Sequence, residues 1–234
     1  MIIEVGIENN VEGRSLAWAL GHPGCFAYGK DAQRALKAIP AATKEYSSWI
    51  QFHNHGESWI NTNELVFHQT DSWEVYSIDS NFNLVSEPGY EVNAWFHHDW
   101  KPLTSTDVDC GLKLLTWCRE DLLHTLDGIN HNTLDTTYPR ERWSIRGIID
   151  HIVNAEIWYL DRLEISVTGI ELMNNQIEKL TSVRELLKNT LSKMVAHERV
   201  LGIDGELWSP RKLLRRAVWH ERDHTAHIQS LIKV

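Results

Sequence analysis

The sequence predicts an α+β chain: a small α/β domain over residues 1–103, followed by an all-α four-helix bundle over 104–234. Three observations carry this. Before Pro102 the apolar residues come in short runs that alternate with polar ones, the two-residue period of a strand. After Pro102 they recur every three or four positions over long stretches, the period of a helix with one buried face. Hydrophobic residues make up 42% of the 234, enough to build a packed core and too many for a disordered chain.

The elements follow in order. IIEVGIE alternates at Ile3, Val5 and Ile7 and reads as a strand, and RSLAWALG repeats the pattern at Leu16, Trp18 and Leu20. HPG is a turn, and CFAYG a third short strand. The next segment has helical spacing at Ala32, Ala35, Leu36, Ile39 and Ala42, with Asp31 placed to cap it and Pro40 expected to kink or divide it. ELVFHQTDSWEVYSI returns to an extended pattern, and residues 78–104 are too rich in turn formers to assign. Four helices are then expected: about 106–126, 144–168, 182–201 and from Pro210 onward. Ser182 and Glu185 resemble a capping box, Gly202 and Gly205 punctuate the third helix, and Ser209-Pro210 suits a cap and first helical position.

The composition excludes several classes. The net charge is −9, from 23 basic and 32 acidic residues, which argues against a general grip on nucleic acid. Cys25, Cys110 and Cys118 are too few and too scattered for a disulfide framework or a cysteine-only metal site, and fit a reduced, cytoplasmic protein. No apolar run approaches the roughly 18 residues of a membrane span, and MIIEVGIENN lacks the basic flank of a secretion signal. The 11 tryptophans are expected partly in the core and partly around a cleft.

The chemistry concentrates in AVWHERDHTAHIQSLIKV. His220 and His224 are one helical turn apart, and His227 shares their broad face, beside Leu213, Ala217, Ile228 and Leu231. Imidazoles turned toward the packed side of a helix can be satisfied core residues, or ligands. A metal that keeps an open position takes three protein ligands. His151, on the apolar stripe with Ile148, Ala155 and Trp158, is the best third partner. Lesser candidates are His97, His98 and Asp99 in WFHHDW, read as a surface or seam cluster, and Arg211, Lys212, Arg215 and Arg216, read as a solvated basic face with salt bridges or, alternatively, as a contact for an anion or acidic partner near the cleft. Cys25 is a candidate reactive thiol without a supporting histidine. There is no phosphate-binding glycine loop and no nucleophile elbow.

RGIIDHIVNAEIWYLDRL followed by LLRRAVWHERDHTAHIQSLI resembles the DinB/YfiT-like superfamily over residues 105–234. The resemblance implies a four-helix bundle with a divalent metal held by His151, His220 and His224, and leaves His227 outside, where the family often has glutamine. It also places Glu156 at a frequent acidic position, making it the candidate catalytic residue. It implies zinc or nickel as the ion, a low-molecular-weight thiol as cofactor, and a small-molecule substrate. The expected activity is a thiol-dependent transferase, or a related metal-dependent enzyme such as a hydrolase. The alternative is a metal-stabilised, non-catalytic binding or protein-interaction module. A homodimer is compatible with either. ALGHPGCFAYGKDAQRALKAIPAATKEY is similar to the HicB-like antitoxin domain, through Pro23, Gly24, Cys25, Gly29, Asp31, Ala35 and Leu36. That similarity implies a small sheet packed on a helix, and in an acidic, fused chain it carries over no RNA-binding role.

Overall fold

The structure is a computed structural model that describes residues 1–86, 89–170 and 172–233. The chain divides into two compact units. The first is Met1–Lys101 with Glu198–Arg215, and the second is Pro102–His197 with Arg216–Val234.

In the first unit, β1 (Ile2–Val11), β2 (Arg14–Ala19), β3 (Phe26–Gly29) and β4 (Val66–Glu74) form a sheet in the order β3-β2-β1-β4. β1 and β2 are antiparallel, joined through Glu12 and Gly13, both at positive φ, the two-residue turn that matches strand twist. β2 and β3 are also antiparallel, whereas β4 returns parallel to β1 after the helix α1 (Ala32–His53). Asp31 caps α1 by accepting from the Arg34 N–H, as its position suggested, but the helix runs undivided through Pro40. Gly29 sits so close to the start of α1 that a Cβ there would lie 2.2 Å from the Ala35 nitrogen. The expected alternation in β1 holds at Ile3, Val5 and Ile7, yet its opposite face is covered too. Gly6 lies under the Phe96 ring, and the buried Glu8 accepts from the Trp18 indole and the Ala94 N–H.

β5 (Tyr76–Ile78) ends the stretch expected to be extended, and β6 (Leu84–Val85) and β7 (Tyr90–Val92) of the unassigned stretch pair with it in a small antiparallel sheet, followed by one 3-10 turn at His97–Trp100. A hairpin of β8 (Leu201–Ile203) and β9 (Glu206–Trp208) completes the unit where the third long helix was expected to end. The basic face proposed at the start of the last helix is not solvated. Lys212 and Arg215 are buried, Lys212 against Glu206 at 2.6 Å and Arg215 against Asp99 at 2.7 Å. Burial lowers the Lys212 pKa to about 8, against the pull of Glu206. The three polar residues of WFHHDW are not a surface cluster: His98 and Asp99 are buried, and of the three only His97 faces outward.

The second unit holds α2 (Ser105–Leu126), the short α3 (His131–Asp135), α4 (Ile145–Asp161), α5 (Gln176–Ser192) and the part of α6 (Pro210–Ile232) beyond Arg215. A capping box between Thr104 and Asp107 starts α2, and the Ser144 hydroxyl caps α4. α5 begins six residues before the expected Ser182, because the Asn175 side chain accepts from the Ile177 and Glu178 N–H groups. It also stops early: beyond Ser192 the chain turns, and the Ala196 N–H donates to the Leu103 carbonyl. α4 stops at Asp161 rather than near 168. Leu115, Leu122, Ile148, Ile152, Leu160, Val183, Leu187, Val218 and Ile228 form the core between the helices, each contributing about 1.5–3 kcal/mol by burial. No described helix is long and apolar enough to cross a membrane.

Candidate metal centre

α4 and α6 bring His151, His220 and His224 together. The Nε2 atoms of His220 and His151 are 3.0 Å apart, and those of His224 and His220 are 3.1 Å apart. All three ligand atoms lie within 4.8 Å of one another, the one such group of three or more among the described residues. The spacing explains how: one turn of α6 stacks two rings on one face, and the apolar stripe of α4 carries the third against them.

Neutral imidazoles do not satisfy each other in this arrangement. His220 Nε2 carries either one hydrogen or one lone pair, and two other ring nitrogens are directed at it. His224 Nδ1 is buried with no hydrogen-bond partner. Three convergent nitrogen lone pairs fit a cation. Tetrahedral coordination with bonds of about 2.1 Å would set ligand nitrogens about 3.4 Å apart, a few tenths of an ångström from the two closest spacings, with the third within 4.8 Å.

The surroundings keep the rings uncharged. Burial lowers the His151 pKa, and the Arg142 guanidinium lowers it further. Burial also pushes His220 well below the ordinary value, reinforced by His224, His151, Arg216 and Arg184. His224 falls to about 3, by burial and then by the neighbouring His151 and His227. At neutral pH the three side chains therefore present lone pairs, the form a metal needs. Trp143 stacks on His151, ring centroids 4.6 Å apart and planes 27° apart, while Tyr159 meets His220 edge-on. His227 turns instead to Glu141, Nε2 to Oε2 2.9 Å.

A second buried cluster lies in the same unit. Arg119 of α2, Glu156 of α4, Arg184 of α5 and Glu221 of α6 meet, one side chain from each long helix, each at most 6% exposed. Arg119 donates to both carboxylates, to Glu156 at 3.1 Å, and so does Arg184. Arg184 also donates to the Leu115 carbonyl at 2.6 Å, and Arg119 to that of Leu180. Burial opposes the charge on Arg184, but Glu156 and Glu221 outweigh it and raise its pKa. Glu156, the acidic residue singled out in the sequence, thus sits in an ion-pair network, with Oε1 bound by two guanidinium groups. The network was signalled by Arg119, a cation on the apolar face of α2 between Leu115 and Leu122. Asp150, next to His151 in sequence, accepts from the Gln176 amide at 2.7 Å. Cys25 is buried against Thr43.

Residues 114–228 match the sequence profile of the DinB superfamily. Over 154 residues the chain is 23% identical to the "putative metal-dependent hydrolase" of Oceanobacillus iheyensis, which spans 54% of this chain and 86% of that protein. Among solved structures it is similar to YfiT from Bacillus subtilis, described as a "probable metal-dependent hydrolase with an unusual four-helix bundle topology". That similarity has a TM-score of 0.47 at 17% identity, over 58% of this chain and 93% of YfiT. The region spanned by the profile is DinB-like, with a histidine cluster able to coordinate a divalent metal.

Proposed function

We propose that the second unit is a metal-dependent enzyme of the hydrolase type, acting on a small molecule through an ion held by His151, His220 and His224. The observation that carries this is the convergence of three neutral Nε2 atoms, with contacts at 3.0 and 3.1 Å, which cannot all be satisfied by one another. The name of the Oceanobacillus relative supports the reaction class. When bound, such an ion acidifies a coordinated water or polarises a carbonyl. Zinc and nickel suit the all-nitrogen set.

The chain's own residues supply the rest. Three uncharged ligands leave the ion its full double charge, which attracts an anionic nucleophile. This favours the finer reading as well, a low-molecular-weight thiol engaged as its thiolate. Trp143 and Tyr159 hold the rings of His151 and His220 in place. Glu156 acts as a positioning residue: clamped by Arg119 and Arg184, it fixes α4, which carries His151. The N-terminal segment is proposed to be HicB-like, supported by its strand-strand-strand-helix-strand order with Pro23-Gly24-Cys25 between β2 and β3. Buried Cys25 and Cys118, the latter with its thiol pushed up to about 12 by burial, suit a reducing, cytoplasmic setting.

Elemental analysis of the purified chain tests the reading, followed by ester and amide hydrolysis before and after chelation. One equivalent of metal and chelator-sensitive turnover are expected. Metal content unaffected by His224→Ala would overturn it.

A further inference from the structure

We propose that Arg142 is an anion-recognition residue beside the histidine cluster, so that the small molecule taken there carries a carboxylate. The inference rests on the reading of the histidines as a metal site and adds the class of ligand.

Residues 140–143 form a strap tied down on both sides of Arg142. Arg140 is at φ +71°, a left-handed conformation uncommon for a residue with a side chain, and the Glu141 N–H donates to the Tyr138 carbonyl at 3.0 Å. Glu141 is bound to His227 on α6 at 2.9 Å, and Trp143 is stacked on His151 of α4. Arg142 lies between these anchors, its Cζ 4.7 Å from the centre of the Trp143 ring. The guanidinium and the His151 imidazole therefore contact the same indole.

Stacking occupies the face of a guanidinium and leaves its N–H edge free. Among the described residues Arg142 has no acidic partner: its contact is with the indole, and its neighbour Glu141 is engaged by His227. The side chain is exposed, so its donors face solvent at the edge of the cluster. Arg142 thus sets a cation with no acidic partner beside three uncharged ligands, in a chain of net charge −9. Its planar fork matches a carboxylate in two parallel hydrogen bonds better than it matches a tetrahedral anion. An incoming molecule would place its reactive end at the histidines and its carboxylate on Arg142, with Trp143 as an apolar wall.

The test uses the full chain loaded with cobalt(II), whose visible spectrum reports directly on the histidine site. Three thiols sharing one metal-binding end are titrated: 2-mercaptoethanol, 3-mercaptopropionate and 2-mercaptoethanesulfonate. Mercaptopropionate should bind about fivefold more tightly than the alcohol, the contribution of one exposed charge pair. Arg142→Gln should abolish that preference and leave the alcohol's affinity unchanged, and Arg142→Lys should keep part of it. Equal affinities in the wild type, or a preference that survives in Arg142→Gln, would overturn the role of Arg142. Tightest binding of the sulfonate would overturn the carboxylate assignment. Absence of any cobalt spectrum would overturn the metal reading and the inference with it, a result distinct from a loaded protein that fails to discriminate.

Discussion

Two polar clusters are buried in the helical unit, and they are chemically opposite. Arg119, Arg184, Glu156 and Glu221 bring two positive and two negative charges from four helices, and each cation contacts both anions. Their charges cancel within the protein. His151, His220 and His224 come from two helices, carry no charge at neutral pH, and direct nitrogens at one another. Four side chains whose charges cancel are a cross-tie, although Glu156 Oε2 and Arg184 Nε stay buried without a hydrogen-bond partner. Three uncharged rings that cannot all pair with one another are a site able to coordinate a cation. Both are built the same way, with a polar residue on the apolar face of a helix, so position alone does not separate structure from function; the balance of charge does.

The largest expected effect comes from unbalancing the first cluster. Arg184→Ala leaves two buried carboxylates with Arg119 alone, and should destabilise the protein by about 3–5 kcal/mol, read as a lowered urea midpoint. The double variant Arg184→Met with Glu156→Leu keeps one cation and one anion in balance, and should be more stable than the Arg184→Ala single. If the double loses as much as the two singles together, the four residues are not one closed network. In the second cluster the effects invert. His224→Ala should remove most bound metal by elemental analysis, yet shift the urea midpoint of the chelated protein by less than about 1 kcal/mol of stability. A large loss of stability without metal would make the histidines a structural cluster like the other.

How far each cluster could be read from sequence follows from the length scale of its partners. That His220 and His224 share a face is set by one helical turn, and the place of His151 on an apolar stripe is also local, so the meeting of three imidazoles was legible. The reason for Glu156 was not. Its partners Arg119 and Arg184 lie 37 and 28 residues away, and nothing in the local pattern ties them together. Arg119 was the visible clue, because an arginine among leucines on a buried face requires an anion. Lys212 and Arg215 misled for the same reason. A basic run reads as solvated until Asp99, 116 residues upstream, and Glu206 are seen to be buried with it. Boundaries failed where a competing cap existed: Asn175 starts α5 before Ser182 can. The helical period after Pro102 was legible because every long helix buries one stripe.

Acid should sharpen the contrast by acting on neutral buried histidines and sparing ion pairs. Burial lowers His98 to about 4, an effect that Arg211 reinforces and Asp99 opposes, and burial lowers His22 to about 4 as well. Such depressed groups bind fewer protons in the folded than in the unfolded state, so stability is present in full above about pH 6.5 and is lost as the pH falls from there through about 4. His224, at about 3, extends the loss further into acid. Urea midpoints of the chelated chain should therefore fall steadily from pH 7 to pH 4. Metal-loaded protein should fall more steeply, because protons compete for the ligand nitrogens. Coincident slopes with and without metal would separate the histidine cluster from metal binding.

The smallest expected effect is at His227, which lies between the two behaviours. It is on the face of the other histidines, its ring centre 6.4 Å from that of His224, but unlike them it has an acceptor, Glu141 at 2.9 Å. It is therefore engaged within the protein, as the charges of the tetrad are. The pair is partly open to solvent, so its loss in His227→Ala should cost no more than about 1 kcal/mol. Metal affinity should change by less than about threefold, since no ligand is removed. The consequence should appear in the strap. With Glu141 released from α6, one anchor of residues 140–143 is gone, and Arg142 is held through Trp143 alone. The preference of the cobalt protein for mercaptopropionate should then weaken while the binding of mercaptoethanol stays the same. A variant that instead loses its metal, as His224→Ala is expected to, would place His227 among the ligands and erase the distinction between a satisfied imidazole and an open one.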